Sequence, residues 1–205
     1  MMNTVLWRWT GLLFLMVVFT GCSGSPPSNH YVLSAKAATT PSAKTPSLGI
    51  GPITVPEYLN RSGLVYSRKG NALQVSGTER WAEPLEDGIK RVLSMNLAVL
   101  VDTHNVRFFP WNSQRAPDYG IKINVLSLDA NDEEARLVAE WLVYQPASQE
   151  TVNRRISELR HALPAGALAP AQIAPAYSNL LHQLSAIIAQ EILSAEAQRA
   201  DATAG

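Results

Sequence analysis

Apolar and polar positions alternate with a two-residue period in several short stretches of this chain, and with a three-to-four-residue period in two long ones. His30-Tyr31-Val32-Leu33 alternates and is rich in β-formers, which predicts a first strand. Leu48 to Val55 predicts a second, ended by Pro56, where a ladder would lose its backbone donor. Leu64-Val65-Tyr66-Ser67 and Ala72-Leu73-Gln74-Val75 flank Arg68-Lys69-Gly70-Asn71, whose Gly and Asn tolerate the positive φ of a tight connection, so a hairpin is expected. Val106 to Phe109 reads as a short strand stopped by Pro110. Tyr119 to Leu128 and Ala135 to Tyr144 read as an antiparallel pair joined by a polar turn, Asp129 to Glu134. Residues 151–163 fit two patterns. Val152, Ile156, Leu159 and Leu163 lie at helical spacing, but the stretch follows a strand and the turn Gln145-Pro146-Ala147-Ser148, and the reading adopted is a strand.

The helical period is clearest in two places. Leu85, Ile89, Val92, Leu93, Leu97 and Leu100 form one stripe, with Pro84 suited to the first helical position and Glu83, Glu86 and Asp87 at the end where the helix dipole favours negative charge. From Tyr177 on, Leu180, Leu181, Leu184, Ile187, Ile188 and Ile192 define a second face, with Gln183, Gln190 and Glu191 outside it. The Ala-rich polar end after Leu193 is expected to fray, leaving residues 199–205 as a disordered tail. Lys36 to Ser47, rich in Ala, Thr, Pro and Ser, reads as a surface excursion.

The first twenty-two residues differ from all of this. Arg8 is the only side-chain cation of a short amino-terminal region, and Gly11 to Phe19 is an apolar run of signal-peptide length, too short to span a bilayer, which takes roughly 20 residues. Phe19-Thr20-Gly21-Cys22 resembles the lipobox of bacterial lipoproteins, with Phe19 where Leu is usual. Residues 1–21 are thus expected to be a signal peptide, and Cys22 to carry diacylglycerol and an N-acyl chain such as palmitate. Residues 22–29 form a lipidated tether. Ser23 stands where the inner-membrane retention signal would be Asp, so the anchor is expected in the outer membrane, facing the periplasm. Cys22 is the only cysteine, so the mature chain forms no internal disulfide.

Composition narrows the function. Lys and Arg number 17, as do Asp and Glu; cleavage before Cys22 removes Arg8 and no acid. A near-neutral chain lacks the basic stripe that nucleic acid requires. The length suits one domain with a sizeable core, placed at residues 30–198.

Catalytic chemistry is hard to find. His30, His104, His161 and His182 share no metal-ligand spacing, and there is no G-x-S-x-G elbow, Walker loop or G-x-G-x-x-G. Asp129, Asp132, Glu133 and Glu134 lack the spaced ligands and central Gly of an EF-hand and read as a solvated turn. No metal, cofactor or enzymatic activity is expected.

An ordered set of fragments carries a more specific signal. Gly49-Ile50-Gly51-Pro52, Pro56-Glu57-Tyr58-Leu59-Asn60-Arg61, Leu64-Val65-Tyr66, Arg80-Trp81-Ala82-Glu83-Pro84-Leu85 and Phe109-Pro110-Trp111 together resemble the PqiC-type family of ABC-transport auxiliary lipoproteins. Asn60 stands where Asp is common there, and Ser62 where Pro is. The resemblance implies an α/β fold, a mixed and largely antiparallel sheet covered by two long helices, similar to the N-terminal domain of TolB. It also implies a non-catalytic lipoprotein subunit of an intermembrane lipid transport system, partnered by a mammalian-cell-entry (MCE) domain protein and possible as a homo-oligomer. In that setting Trp81 is expected to pack the start of the first helix, and Tyr58, Leu59 and Arg61 are candidate partner contacts on a Pro-, Tyr- and Arg-bearing loop. Two other readings stay open: a stand-alone periplasmic carrier holding a hydrophobic ligand between sheet and helices, and an envelope hydrolase.

Overall fold

The computed structural model of the chain describes residues 26–36, 40–43, 46–67 and 71–204. The expected signal peptide, Cys22, the first residues of the tether and most of the Arg68 to Asn71 turn lie outside them. Among the described residues the alternating stretches become eight strands: β1 (Asn29–Tyr31), β2 (Leu48–Thr54), β3 (Gly63–Ser67), β4 (Leu73–Trp81), β5 (Val106–Phe108), β6 (Tyr119–Ala130), β7 (Glu134–Gln145) and β8 (Glu150–Ala162). The two helical stretches become α1 (Leu85–Leu100) and α2 (Ile173–Ala204).

The strands form two sheets where the sequence predicts one. A five-stranded sheet has the order β5-β2-β6-β7-β8, and a three-stranded sheet the order β1-β4-β3. Both are mixed: β2 runs parallel to β5 and β6, and β1 parallel to β4, whereas β3-β4, β6-β7 and β7-β8 are antiparallel. The split follows from β1, which pairs with β4 some fifty residues away instead of joining β2. The sheets meet where Ser67 of β3 donates its backbone N–H and its hydroxyl to Asp129 of β6. That acid closes a junction rather than facing solvent alone.

Both helices lie on one face of the five-stranded sheet. β6 turns Tyr119, Ile121, Ile123 and Val125 inward, and after a bulge between Val125 and Ser127 it turns Leu128 and Ala130 the same way. Opposite them β7 buries Ala135, Leu137, Ala139, Trp141 and Val143. From α1 come Leu85, Ile89, Val92, Leu93 and Leu97, and from α2 Leu180, Leu181, Leu184, Ile188 and Ile192. Each such side chain contributes about 1.5–3 kcal/mol when fully buried. Trp141 also donates its indole N–H to Ser157 Oγ at 2.9 Å, so its one polar atom is satisfied inside the core.

Several boundaries differ from expectation for local reasons. Pro84 is the N-cap of α1 and makes no side-chain capping bond, while Glu83 is drawn away to Arg91. The second helix begins at Ile173, a turn before Tyr177, and continues to Ala204 instead of fading after Leu193. Near its end Tyr119 of β6 donates its hydroxyl to Glu196 at 2.6 Å, with Arg199 over the Tyr119 ring. β8 is a strand despite its helical spacing. Ile156 points outward and is 61% exposed, and Ser157 takes the inward place.

The described residues between β1 and β2 are fastened to the helices. Ser34 N–H donates to Ser178 Oγ on α2, Lys36 N–H to Asn96 Oδ1 on α1, and Ser42 N–H to Asp102 past the end of α1. Ser47 then enters β2 held by Asp118 through both its N–H and its hydroxyl.

Candidate functional site

The segment Pro56 to Arg61 leaves β2 through a single 3-10 turn, Glu57–Leu59. Leu59 N–H donates to Pro56 O, Asn60 N–H to Glu57 O, and Arg61 N–H to Leu59 O. This curl sends alternate side chains opposite ways. Leu59 is 2% exposed and packs in the core, so of the candidate contacts it is a packing residue. Tyr58 is half-buried against the same core, whereas Asn60, Arg61 and Ser62 are exposed.

The next fragment returns to the same place. Trp81, the last residue of β4, donates its N–H to Ser62 O at 2.7 Å, and Ala82 N–H donates to Tyr31 O at 2.9 Å. Two segments about twenty residues apart thereby line one cleft of about 380 Å³, with Asn60, Arg61 and Ser62 on one side and Trp81 to Leu85 on the other. Trp81 is largely buried and stacks on Tyr177 of α2, centroids 6.2 Å apart and planes 28° apart. It packs the approach to α1, as the sequence suggests, and reaches α2 as well.

The charges around the cleft are unevenly matched. Glu83 pairs with Arg91, which also donates to Leu33 O at 2.9 Å and so ties the exit of β1 to α1. Glu79 accepts from the Tyr31 hydroxyl at 2.6 Å and from Asn29, and the tyrosine bond holds its carboxyl below the usual range. Arg80 donates to Ser62 Oγ and Gly77 O. Arg61 has no side-chain hydrogen bond or ion pair among the described residues, and stands as an open cation at the mouth of a mostly apolar cleft. Such a surface suits recognition of an apolar group flanked by negative charge. The lining contains neither His nor Cys, and the Ser62 hydroxyl meets Arg80, a donor rather than a base, among the described residues.

A second pair of fragments also meets. Phe109 N–H donates to Ile50 O at 2.9 Å, which brings Phe109-Pro110-Trp111 over the glycines of β2. A Cβ on Gly49 would lie 2.7 Å from the Trp111 ring and 2.5 Å from Pro117, so only glycine lets the indole lie on the strand. Gly51 has φ +111°, and its missing Cβ would sit 3.1 Å from that of Phe109. Phe109 meets Trp111 edge to face, centroids 5.4 Å apart. Sequence spacing shows neither contact, because each joins residues some sixty positions apart.

The remaining candidates are structural. Asp132 accepts from Leu168 N–H, and Asn131 caps Glu133 and Glu134. Among the described residues no group of three or more His, Cys, Asp or Glu could hold a metal ion.

Over residues 31–189 the sequence matches the ABC-type transport auxiliary lipoprotein component family. The chain belongs to that family. No curated protein matches it. Among solved structures it is similar to an uncharacterized protein, at 20% identity with a TM-score of 0.64, covering 82% of this chain and 99% of that one. It is also similar to the Xanthomonas campestris protein XCC0632 of the DUF330 family, at 16% identity with a TM-score of 0.67, covering 85% of this chain and 99% of that one. Identities this low speak for the fold. The matched span of the auxiliary lipoprotein runs from Tyr31 beside the cleft to Ala189 on α2, and contains both the cleft and the Trp111 contact. The last turns of α2 lie past it.

Proposed function

We propose that this auxiliary lipoprotein is the membrane-anchored, non-catalytic subunit of an MCE-type intermembrane lipid transport system. It is held at the outer membrane through acylated Cys22 and docks an MCE-domain protein through the cleft between Arg61 and Trp81. The observation that carries the reading is that cleft: two segments of the family pattern converge on it and leave Arg61 without a side-chain partner among the described residues. Reach adds to it. A domain of this length has a radius of gyration of about 16 Å, and the seven Cα–Cα steps from Cys22 to Asn29 add about 25 Å at most. Neither spans an envelope, so a longer partner has to come to the membrane that holds this subunit.

The carrier reading is less favoured, because the space between sheet and helices is filled by Trp141, Tyr119 and Tyr177, each at most 1% exposed. The test is co-purification of the full-length lipoprotein, solubilised from membranes, with its MCE-domain partner. Arg61→Glu should reduce the recovered partner at least tenfold while leaving the melting temperature unchanged, since tenfold corresponds to about 1.4 kcal/mol. Undiminished recovery would remove the cleft from the interface.

A further inference from the structure

β5 is an edge strand of the five-stranded sheet, and its end carries an unusual surface. Phe108 is 48% and Phe109 49% exposed; among the exposed large hydrophobics of the described residues these are the only aromatic ones and the only two adjacent in sequence. Phe108 is in register with buried Ile50, while Phe109 lies against Gly51 and Trp111, so packing on the strand holds the aromatic group in place at the edge. Arg107 and Arg115 stand beside it. Arg107 donates to the backbone oxygen of Arg115 at 2.6 Å and to Asn105, and neither arginine is paired with a carboxylate among the described residues. The outer face of the sheet is different, since Arg136, Arg154 and Arg160 are each paired there with Glu158, Glu140 or Glu134.

We propose that this edge, Arg107 to Trp111 with Arg115, rests in the headgroup region of the anionic phospholipid membrane that holds the anchor. Aromatic rings flanked by arginines suit that layer, where ring and guanidinium span the boundary between acyl chains and phosphate. The cations unmatched among the described residues meet their complement in anionic headgroups. The anchor brings the domain to that layer, a step that rests on acylation of Cys22. Seven Cα–Cα steps separate Cys22 from Asn29, where β1 begins, and they reach at most about 25 Å. That is less than the width of a domain whose radius of gyration is about 16 Å. The tether therefore keeps the domain against the bilayer, and some face of it meets the headgroups. A three-residue strand offers little for strand pairing with a second copy, whereas a lipid surface needs no register.

The experiment uses the full acylated lipoprotein in phosphatidylethanolamine vesicles containing phosphatidylglycerol or phosphatidylcholine, with bromine on the upper acyl chain as quencher. In the mature chain Trp81 and Trp141 are 7% and 0% exposed, so Trp111 is the reporter. Flotation with the vesicles scores the anchor, and quenching scores the edge. The expected result is quenching that disappears in Trp111→Phe, is stronger with phosphatidylglycerol, and falls about twofold or more in Phe108→Ser and in Arg115→Glu. A tryptophan placed at Ile156, on the ion-paired face, should stay unquenched. Protein that floats with Trp111 unquenched would overturn the proposal, as would equal quenching at position 156. Quenching that follows protein concentration and ignores phosphatidylglycerol would instead assign the edge to a second copy of the chain. Protein that fails to float even with phosphatidylglycerol vesicles would overturn the proposal together with the acylation it rests on.

Discussion

Trp81 stacks on Tyr177, and through this contact the floor of the cleft is fixed to the C-terminal helix. Trp81 ends β4 and Tyr177 sits in the second turn of α2, so the pair bolts the three-stranded sheet to the helical layer. The Tyr177 hydroxyl is buried and has no hydrogen-bond partner among the described residues. Burial therefore drives its pKa well above the ordinary tyrosine value.

The two rings should respond in opposite ways. Trp81→Ala is expected to cost about 3–5 kcal/mol, as for other large aromatic truncations in a core. Tyr177→Phe keeps the stack and removes an unpaired polar atom, so it should be neutral or stabilising by up to about 1 kcal/mol. Urea denaturation of both variants checks this; a clear loss in Tyr177→Phe would reveal a water-bridged partner for the hydroxyl.

Two glycines of the three-stranded sheet make a second comparison. A Cβ on Gly63 would lie 2.5 Å from Ser76 O, a backbone atom at the irregular step of the β3-β4 ladder. Gly63→Ala should cost about 1–3 kcal/mol through this overpacking. Among the described residues nothing lies within 4 Å of the same position at Gly77. Gly77→Ala should be neutral or stabilising by about 0.4–1 kcal/mol, because it restricts the unfolded chain. The readout is the denaturation midpoint at unchanged slope.

Acid sensitivity should trace partly to the outer face of the sheet. Hydrogen bonds from Arg136 and then Arg160 hold the Glu158 carboxyl down at about 2, against an ordinary 4.5. A carboxyl depressed in the folded state takes up its proton first in the unfolded chain. Its contribution is thus fully present above 4.5 and is lost as pH falls toward about 2. Glu158→Gln should flatten the fall in stability within that window and change little above it. Because the group is exposed, salt should weaken the difference. An identical pH profile for parent and variant would contradict this account.

How far the sequence reveals this molecule depends on the range of each interaction. The β6-β7 pair and the stripe of α1 are legible because period and turn are local signals, and β8 because its turn context outweighs the chance helical spacing of Val152, Ile156 and Leu159. Two sheets in place of one are not legible, since β1 chooses β4 over β2 by a contact some fifty residues long. The full length of α2 is hidden by its composition. Ala195, Ala197, Ala200 and Ala202 look like a fading end, yet alanine is the best helix former, and Tyr119 and Glu196 fasten the last turns. In the cleft, Arg61 stands out as a loop cation, but only the 3-10 turn shows that its neighbour Leu59 faces inward. Phe109-Pro110-Trp111 is visible as a pattern, and its seat on Gly49 and Gly51 is a tertiary fact.

The claim that this subunit docks a longer partner through the cleft is tested most directly by photo-crosslinking in cells. A photoreactive residue placed at Arg61 should capture an MCE-domain protein, and the same residue at exposed Glu133, on the β6-β7 turn, should capture none. Equal capture from both positions, or capture of no MCE-domain protein from Arg61 while the lipoprotein stays folded and anchored, would contradict the account.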